Sequence, residues 1–464
     1  MATHALNRHL VLVGFMGAGK STIGPEAARR LGREFLDIDA AIEARDGPIA
    51  ELFAARGEAA FREIEAEFIR REVDRREPAV IAVGGGAVET RDLLETLDVL
   101  NVHLVVDAGT AWRRVQGSKR PLAQDEAEFR RRFDLRAPLY DEVAHARARD
   151  VDDVLLAASG VRVEVGALER LAEFVAAPAA LVTEPVVNGI HGADVQLALA
   201  FTETHELPSG EAAKQITEVE RLWRSLRIGR DGTIVALGGG SLTDAAGFAA
   251  ATYLRGVPWM PVPTTLIGQV DAAIGGKTAV DLPEGKNLVG AFHWPERTVI
   301  DPVLLETLTG AERLNGMAEV VKTGLLAGEP LWELPDAELV RRCAAFKSGV
   351  CLRDPHDEGP RHVLNLGHTF GHALESAAGY DLPHGRAVAL GLLAALRLSG
   401  RSTRPVEDVL RPQPVRVDRE RAWEALQRDK KGLSRVVLLG DDGGFEAELP
   451  ERDVRAALDE LIAR

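Results

Sequence analysis

Cysteine is scarce. Cys343 and Cys351 are the only two in 464 residues, too few for a disulfide framework. They lie eight apart on an expected helix and read as small buried hydrophobes. No stretch approaches the roughly 18 uncharged apolar residues that a membrane span requires. Positive charge is in deficit. Lys plus Arg total 56 against 71 Asp plus Glu, a net charge of −15. That balance argues against general nucleic-acid binding, so local basic clusters must serve smaller anions. The opening MATHALNRHLVLVG lacks a basic region followed by a cleavable apolar segment. A cytoplasmic protein without nucleic-acid or membrane partners is therefore expected. Repeats and low-complexity tracts are missing too, and the two GGG runs (84–86 and 238–240) have different surroundings.

What is present is ordinary globular composition, 46% hydrophobic and 27% charged, over a length that implies more than one core. In the first 150 or so residues, HLVLVG (9–14), PAVIAVGGG (78–86) and VLNVHLVVD (99–107) read as buried strands. Phe61, Ile64, Phe68 and Val73 keep helical spacing between them. Strands alternating with helices predict an α/β fold with a doubly wound parallel sheet. The pattern restarts near 160, with strands at VRVEV, AALVTE, TIVALGGG and PWMPVP and helices at ALERLAEFV and ITEVERLWRSL. Beyond about 310 helical patterns dominate until RVVLLG (435–440). The expected domains are 1–159, 160–309 and 310–464: a doubly wound α/β domain, a second α/β domain, and a mostly helical domain.

Gly14-Phe-Met-Gly-Ala-Gly-Lys20-Ser21-Thr22 satisfies GxxxxGK[ST] between a strand and a helix. Gly14, Gly17 and Gly19 allow backbone N–H groups to wrap phosphates. Lys20 reaches the outer phosphates, and Ser21, with Thr22 beside it, can hold Mg²⁺. FLDIDAAIE puts Asp37 and Asp39 at a strand end, where both can face the cleft. Arg62 (GEAAFREIE), Gly84, Gly85 and Gly86, Arg120 (SKRPLA) and Arg136 (LRAPLY) follow in order. Together these motifs resemble shikimate kinase across residues 8–150. The resemblance implies ATP and Mg²⁺ as cofactors. It implies that Arg62 and Arg136 clamp the shikimate carboxylate, with Gly84 to Gly86 against the ring. Asp39 would assist deprotonation of the acceptor hydroxyl, Asp37 would orient the Mg²⁺ shell, and Arg120 would reach the phosphoryl group from a mobile lid. Pro25 falls within the helix after the P-loop and deletes a helix hydrogen bond unless it lies in the first turn.

Three of the 12 histidines, His368, His372 and His384, fall within seventeen residues. His368 and His372 share a helical face, which suggests a shared metal or substrate and leaves open which ring does what. VALGGGSLTDAAGFAAATYLRG (235–256) reads as strand, glycine turn and helix, a pyrophosphate site at a helix N-terminus. PTTLIGQVDAAIGGKTAVDLPEGKNLVGAF (263–292), GMAEVVK (316–322) and RHVLNLGHTFGHALE (361–375) follow. These blocks resemble 3-dehydroquinate synthase over roughly 180–440.

That resemblance implies Glu319, His368 and His384 as ligands of Zn²⁺ or Co²⁺, with His372 left for proton transfer. It implies NAD contacts from Glu211, Lys214, Gly239, Gly240, Asp244, Thr264, Thr265, Lys286 and Asn287. Contacts to the heptulosonate phosphate are implied for Asp271, Lys277, Asn287, Lys322, Lys347, Arg361, Asn365 and Lys430, with Lys277 and Lys322 close to the chemistry. It also implies a homodimer, with Arg255 reaching the neighbouring subunit.

The combined expectation is a fusion of the two enzymes, acting on small-molecule substrates of aromatic biosynthesis. Three alternatives stay open at this point. One is a cyclase for a neutral heptulose phosphate, against which Lys347 and Arg361 argue. The second is a polyol dehydrogenase of similar fold, and the third is a chain in which one half is a dead scaffold or a regulatory ATP-binding module.

Overall fold

Leu10, Val11, Leu12 and Val13 are fully buried, as a strand covered on both faces must be. Their strand, His9–Val13, is the middle of a five-stranded parallel sheet. Val80–Ala82 and Val99–Leu104 flank it, with Phe35–Asp37 and Ala146–Ala148 outside them. The computed structural model describes residues 4–117, 125–175, 178–199, 203–429 and 435–463. It divides into two compact units, Met1–Val161 and Arg162–Arg464. The first is the P-loop α/β unit. Its last helix, Val151–Ser159, ends on Gly160 in the left-handed conformation, with Gly160 N–H bonded to the carbonyls of Ala157 and Leu156.

Helix Lys20–Leu31 runs through Pro25, which lies beyond the first turn, so Ser21 lacks the usual amide donor to its carbonyl. The expected helix carrying Phe61 and Phe68 spans Ile49–Val73 and breaks at Gly57, whose φ is 78°.

The second unit holds a four-stranded parallel sheet in the order Trp259–Pro263, Thr233–Gly238, Ala179–Thr183, Glu203–Glu206. Helix Gly240–Thr252 follows directly from Thr233–Gly238. ALERLAEFV is not a regular helix. It forms a 3₁₀ turn, Ala167–Glu173, interrupted at Arg170. An antiparallel hairpin, Lys277–Leu282 with Gly285–Phe292, was hidden from the pattern because GGK and PEGKN look like loop. The C-terminal part is largely helical: Gly310–Ala327, Asp336–Arg353, His368–Ala377 and His384–Leu398. Cys343 and Cys351 lie on the second of these and are buried and unpaired. Among the described residues, no helix is long and apolar enough to cross a membrane.

Helices His368–Ala377 and His384–Leu398 meet through small residues. A Cβ on Gly391 would fall 1.9 Å from the Gly367 carbonyl oxygen, and one on Gly371 would touch the Ala387 backbone at 3.2 Å. A Cβ on Gly385 would meet the Asn315 carbonyl at 2.2 Å. Backbone cannot step aside as a side-chain tip can. Gly391→Ala is therefore expected to destabilise the second unit by about 1–3 kcal/mol. Gly189→Ala, where a Cβ meets nothing within 4 Å, should be neutral or stabilising by up to about 1 kcal/mol. Denaturant midpoints of the two variants would check this, and equal effects would refute the packing argument.

Candidate active sites

Three glycine or acidic turns of the first unit leave the carboxyl ends of adjacent parallel strands, where ligands bind in such sheets. They are the P-loop after His9–Val13, Asp37 at the end of Phe35–Asp37, and Gly84 to Gly86 after Val80–Ala82. Gly17 and Gly19 have φ of 84° and 101°, which side chains rarely adopt. Lys20 folds back over the loop, donating to the Gly14 carbonyl at 2.5 Å. Asp37 caps helix Ile38–Asp46 by accepting from Ala40 N at 3.2 Å, so one of its oxygens is held by backbone rather than turned to the cleft. Asp39 sits in the first turn of that helix, against Gly84.

Arg62 and Arg136 are brought to the same place. Arg62 bonds Glu65 at 2.7 Å and Glu58 at 3.0 Å, and Arg136 bonds Glu89 at 3.0 Å. Glu58 also lies 3.8 Å from Arg136, and Glu89 lies 3.7 Å from Arg62. Arg62 Nε and one terminal nitrogen of Arg136 have no hydrogen-bond partner among the described residues. Buried donors left over in this way suit an anionic ligand. Burial holds the Glu65 carboxyl above its ordinary range, against the pull of Arg62. Gly84 and Gly86 lie hard against Glu65 and Arg62, and the Tyr140 hydroxyl donates to the Gly85 carbonyl. Glu58, Glu65, Glu89 and Tyr140 escaped the sequence reading. Glu58 and Glu65 could have been found, since they stand four before and three after Arg62 on one helix. Arg120 lies outside the described residues.

In the second unit, Glu319, His368 and His384 offer ligand atoms all within 4.8 Å of one another. Glu319 Oε1 is 3.4 Å from His368 Nε2 and 3.2 Å from His384 Nε2. Two imidazoles and a carboxylate, with no further protein donor grouped with them among the described residues, form a donor set suited to catalytic zinc or cobalt. Glu319 has no solvent exposure. Burial alone would lift its carboxyl, yet Lys322 and the two histidines hold it well below the usual carboxylate range. Burial opposes charge on His384, but its bonds to Glu319 and Glu375 carry its pKa up to about 10. His372 does not join this set of converging ligand atoms, although its ring centroid lies 5.4 Å from that of His368, the same spacing as between His368 and His384. Burial pushes its pKa down to about 4, leaving a neutral base near neutral pH.

The cations expected to meet the substrate each have a partner in the protein where they are described. Lys322 pairs with Glu319, and Lys347 pairs with Asp271 at 2.6 Å. Asp271 lies on a π-helical turn, Gly268–Ala272. Lys277 pairs with Asp357 at 2.5 Å. Arg361 is buried and donates to the Gly275 carbonyl at 3.0 Å. Asn365 ends the short helix Pro360–Asn365, and Lys430 lies outside the described residues.

Most of the residues expected to contact NAD touch one another or neighbouring backbone. Lys214 touches Asp244 at 3.0 Å and also bonds Asn287, while Lys286 meets Glu211 at 2.9 Å. Gly239 packs on Thr265, and Thr264 N bonds the Gly238 carbonyl at 3.0 Å. The Gly239–Gly240 turn thus lies where two parallel strands end and a helix begins.

Known proteins match both units. The shikimate kinase family model matches residues 16–156. The 3-dehydroquinate synthase N-terminal and C-terminal models match 204–315 and 316–432. The bifunctional shikimate kinase/3-dehydroquinate synthase of Thermotoga maritima is 33% identical over 92% of this chain and 95% of its own. The chain belongs to the bifunctional shikimate kinase/3-dehydroquinate synthase family. It is an enzyme of the shikimate pathway with two activities. It phosphorylates shikimate with ATP, and it cyclises 3-deoxy-D-arabino-heptulosonate 7-phosphate to 3-dehydroquinate with release of phosphate.

Other relatives cover the synthase unit. The 3-dehydroquinate synthase of Bordetella pertussis is 40% identical over 60% of the chain and 89% of its own length. A solved 2-epi-5-epi-valiolone synthase from Streptomyces hygroscopicus, with NAD⁺ and Zn²⁺ bound, matches with TM-score 0.57. It is 27% identical and covers 65% of this chain and 96% of its own.

Lys322 is ion-paired with the fully buried Glu319, and removing one partner of a buried pair leaves an uncompensated charge. Lys322→Ala should lower synthase-unit stability by about 3–5 kcal/mol in the presence of chelator. Added zinc should then raise the melting temperature of the variant more than that of the parent. A variant as stable as the parent in chelator would contradict the charge argument.

Proposed function

We propose that the two clusters divide the chemistry as follows. In the kinase unit, the P-loop amides and Lys20 hold the phosphates of ATP, and Ser21 with Thr22 holds Mg²⁺. The second oxygen of Asp37 orients the Mg²⁺ water shell. Arg62 and Arg136 grip the shikimate carboxylate, and Gly84 to Gly86 admit the ring close to backbone. Asp39 takes the proton of the acceptor hydroxyl. Arg120 reaches the transferring phosphoryl group. Glu58 and Glu89 already span both guanidiniums, so the substrate carboxylate competes with them for the same donors.

In the synthase unit, residues 160–309 carry the NAD contacts and 310–464 the metal ligands. Glu319, His368 and His384 would hold a Zn²⁺ or Co²⁺ ion, which would supply Lewis-acid chemistry at the substrate hydroxyl, and bound NAD would supply hydride transfer. Glu211, Lys214, Asp244, Lys286 and Asn287 orient the nucleotide, with its pyrophosphate at Gly239 and Gly240 beside Thr264 and Thr265. Lys277, Lys322, Lys347, Arg361, Asn365 and Lys430 neutralise the phosphate and carboxylate of the substrate, with Asp271 fixing Lys347. Neutral His372 accepts a substrate proton at a ring nitrogen. We further infer a homodimer in the cytoplasm, in which Arg255 of the YLRG turn faces the neighbouring subunit.

The observation that carries this reading is the convergence of Glu319, His368 and His384 with His372 left outside. The deciding experiment follows phosphate release from the heptulosonate phosphate with and without NAD and chelator. Release should require both NAD and metal without net NADH; stoichiometric NADH would instead indicate a dehydrogenase. His372→Ala should keep bound metal by elemental analysis yet lose most release, while Lys20→Ala should lose only shikimate phosphorylation. Loss of metal from the first variant, or of both activities from the second, would refute the division of roles. Glu89→Ala should tighten shikimate binding about two- to fivefold by calorimetry, the worth of a half-exposed ion pair. Unchanged or weaker binding would exclude the competition.

A further inference from the structure

The two metal-facing histidines share one arrangement. His368 Nε2 faces Glu319, and its Nδ1 lies 3.3 Å from the Leu366 carbonyl oxygen. A carbonyl can only accept, so the ring proton sits on Nδ1 and the Nε2 lone pair is left for a metal. His384 Nε2 also faces Glu319, but its Nδ1 has a side-chain partner, Glu375 Oε1 at 3.3 Å. Glu375 is only 6% exposed and lies on helix His368–Ala377, the helix that begins with His368 and carries His372. The carboxylate is not itself one of the grouped ligands; it reaches the far nitrogen of the ring.

We propose that Glu375 is a positioning residue for the metal centre, accepting the Nδ1–H of His384 and so presenting Nε2 to the point shared with Glu319 and His368. The inference rests on the metal-centre reading above. A carboxylate behind a ligating imidazole fixes its tautomer, limits its rotation and strengthens it as a donor. His368 obtains the first two from backbone two residues earlier. His384 opens its own helix after Pro383 and obtains them from a neighbouring helix. One ten-residue helix thus supplies a ligand, the proton-transfer histidine and the group that aims the other ligand.

The test measures Zn²⁺ affinity of the full chain by competition with a chromophoric chelator. Far-ultraviolet circular dichroism and shikimate phosphorylation serve as folding checks. Glu375→Ala, and the better-filling Glu375→Met should the first not fold, are expected to weaken Zn²⁺ binding about 10–100-fold. Glu375→Gln keeps an acceptor oxygen and should recover part of that loss. His384→Ala is measured in parallel. If His384→Ala loses affinity while the folded apolar Glu375 variant binds as tightly as the parent, the positioning role is wrong and the metal centre stands. If His384→Ala binds as tightly as the parent, the metal-centre reading is wrong and this inference goes with it.

Discussion

Glu319 is a carboxylate without access to water, and the synthase unit is arranged around its need for positive charge. A lone buried carboxylate is costly enough that it would take up a proton instead. Here Lys322 lies three residues along the same helix, and His368 and His384 arrive from two others. These partners keep the group ionised, and an ionised carboxylate is what a divalent cation requires. The same demand explains the close helix packing. Gly367, Gly371 and Gly391 let the two histidine-bearing helices approach until both Nε2 atoms face one oxygen.

The kinase unit meets a related problem in the opposite sense. Arg136 is a buried cation and Arg62 a partly buried one, and Glu58, Glu65 and Glu89 answer them. The answer is incomplete, since donors on both guanidiniums remain unbonded among the described residues. In the reading proposed above, the substrate carboxylate exchanges with these resident glutamates, and affinity would depend on how firmly they hold as well as on the arginines.

Much of this was legible in the sequence wherever function is built from neighbours along the chain. The P-loop, the GGG turns and the GHTFGH segment each announce their chemistry because backbone amides and one helical turn suffice to gather the groups. The parallel sheet was legible in runs such as HLVLV for the same local reason. Elements that depend on distant support were not. The hairpin Lys277–Phe292 lacks a strong alternating pattern, and ALERLAEFV has helical periodicity but settles as a broken 3₁₀ turn. Asp37 looked like a cleft residue and also serves as a helix cap, because the strand ends one residue before the helix begins.

By itself the sequence determined the fold class, the two families and the motif residues proposed for each site, since motif order survives as a linear record. It did not determine which carboxylates answer which cations. The spacing of His368 and His372 put two imidazoles on one helical face, and spacing alone would pair them on a metal. Only the tertiary structure brings His384 and Glu319 to His368 and sets Glu375 behind His384. The reason is geometric: ligation needs atoms within a few ångströms from different directions, and one helix presents its side chains from a single side.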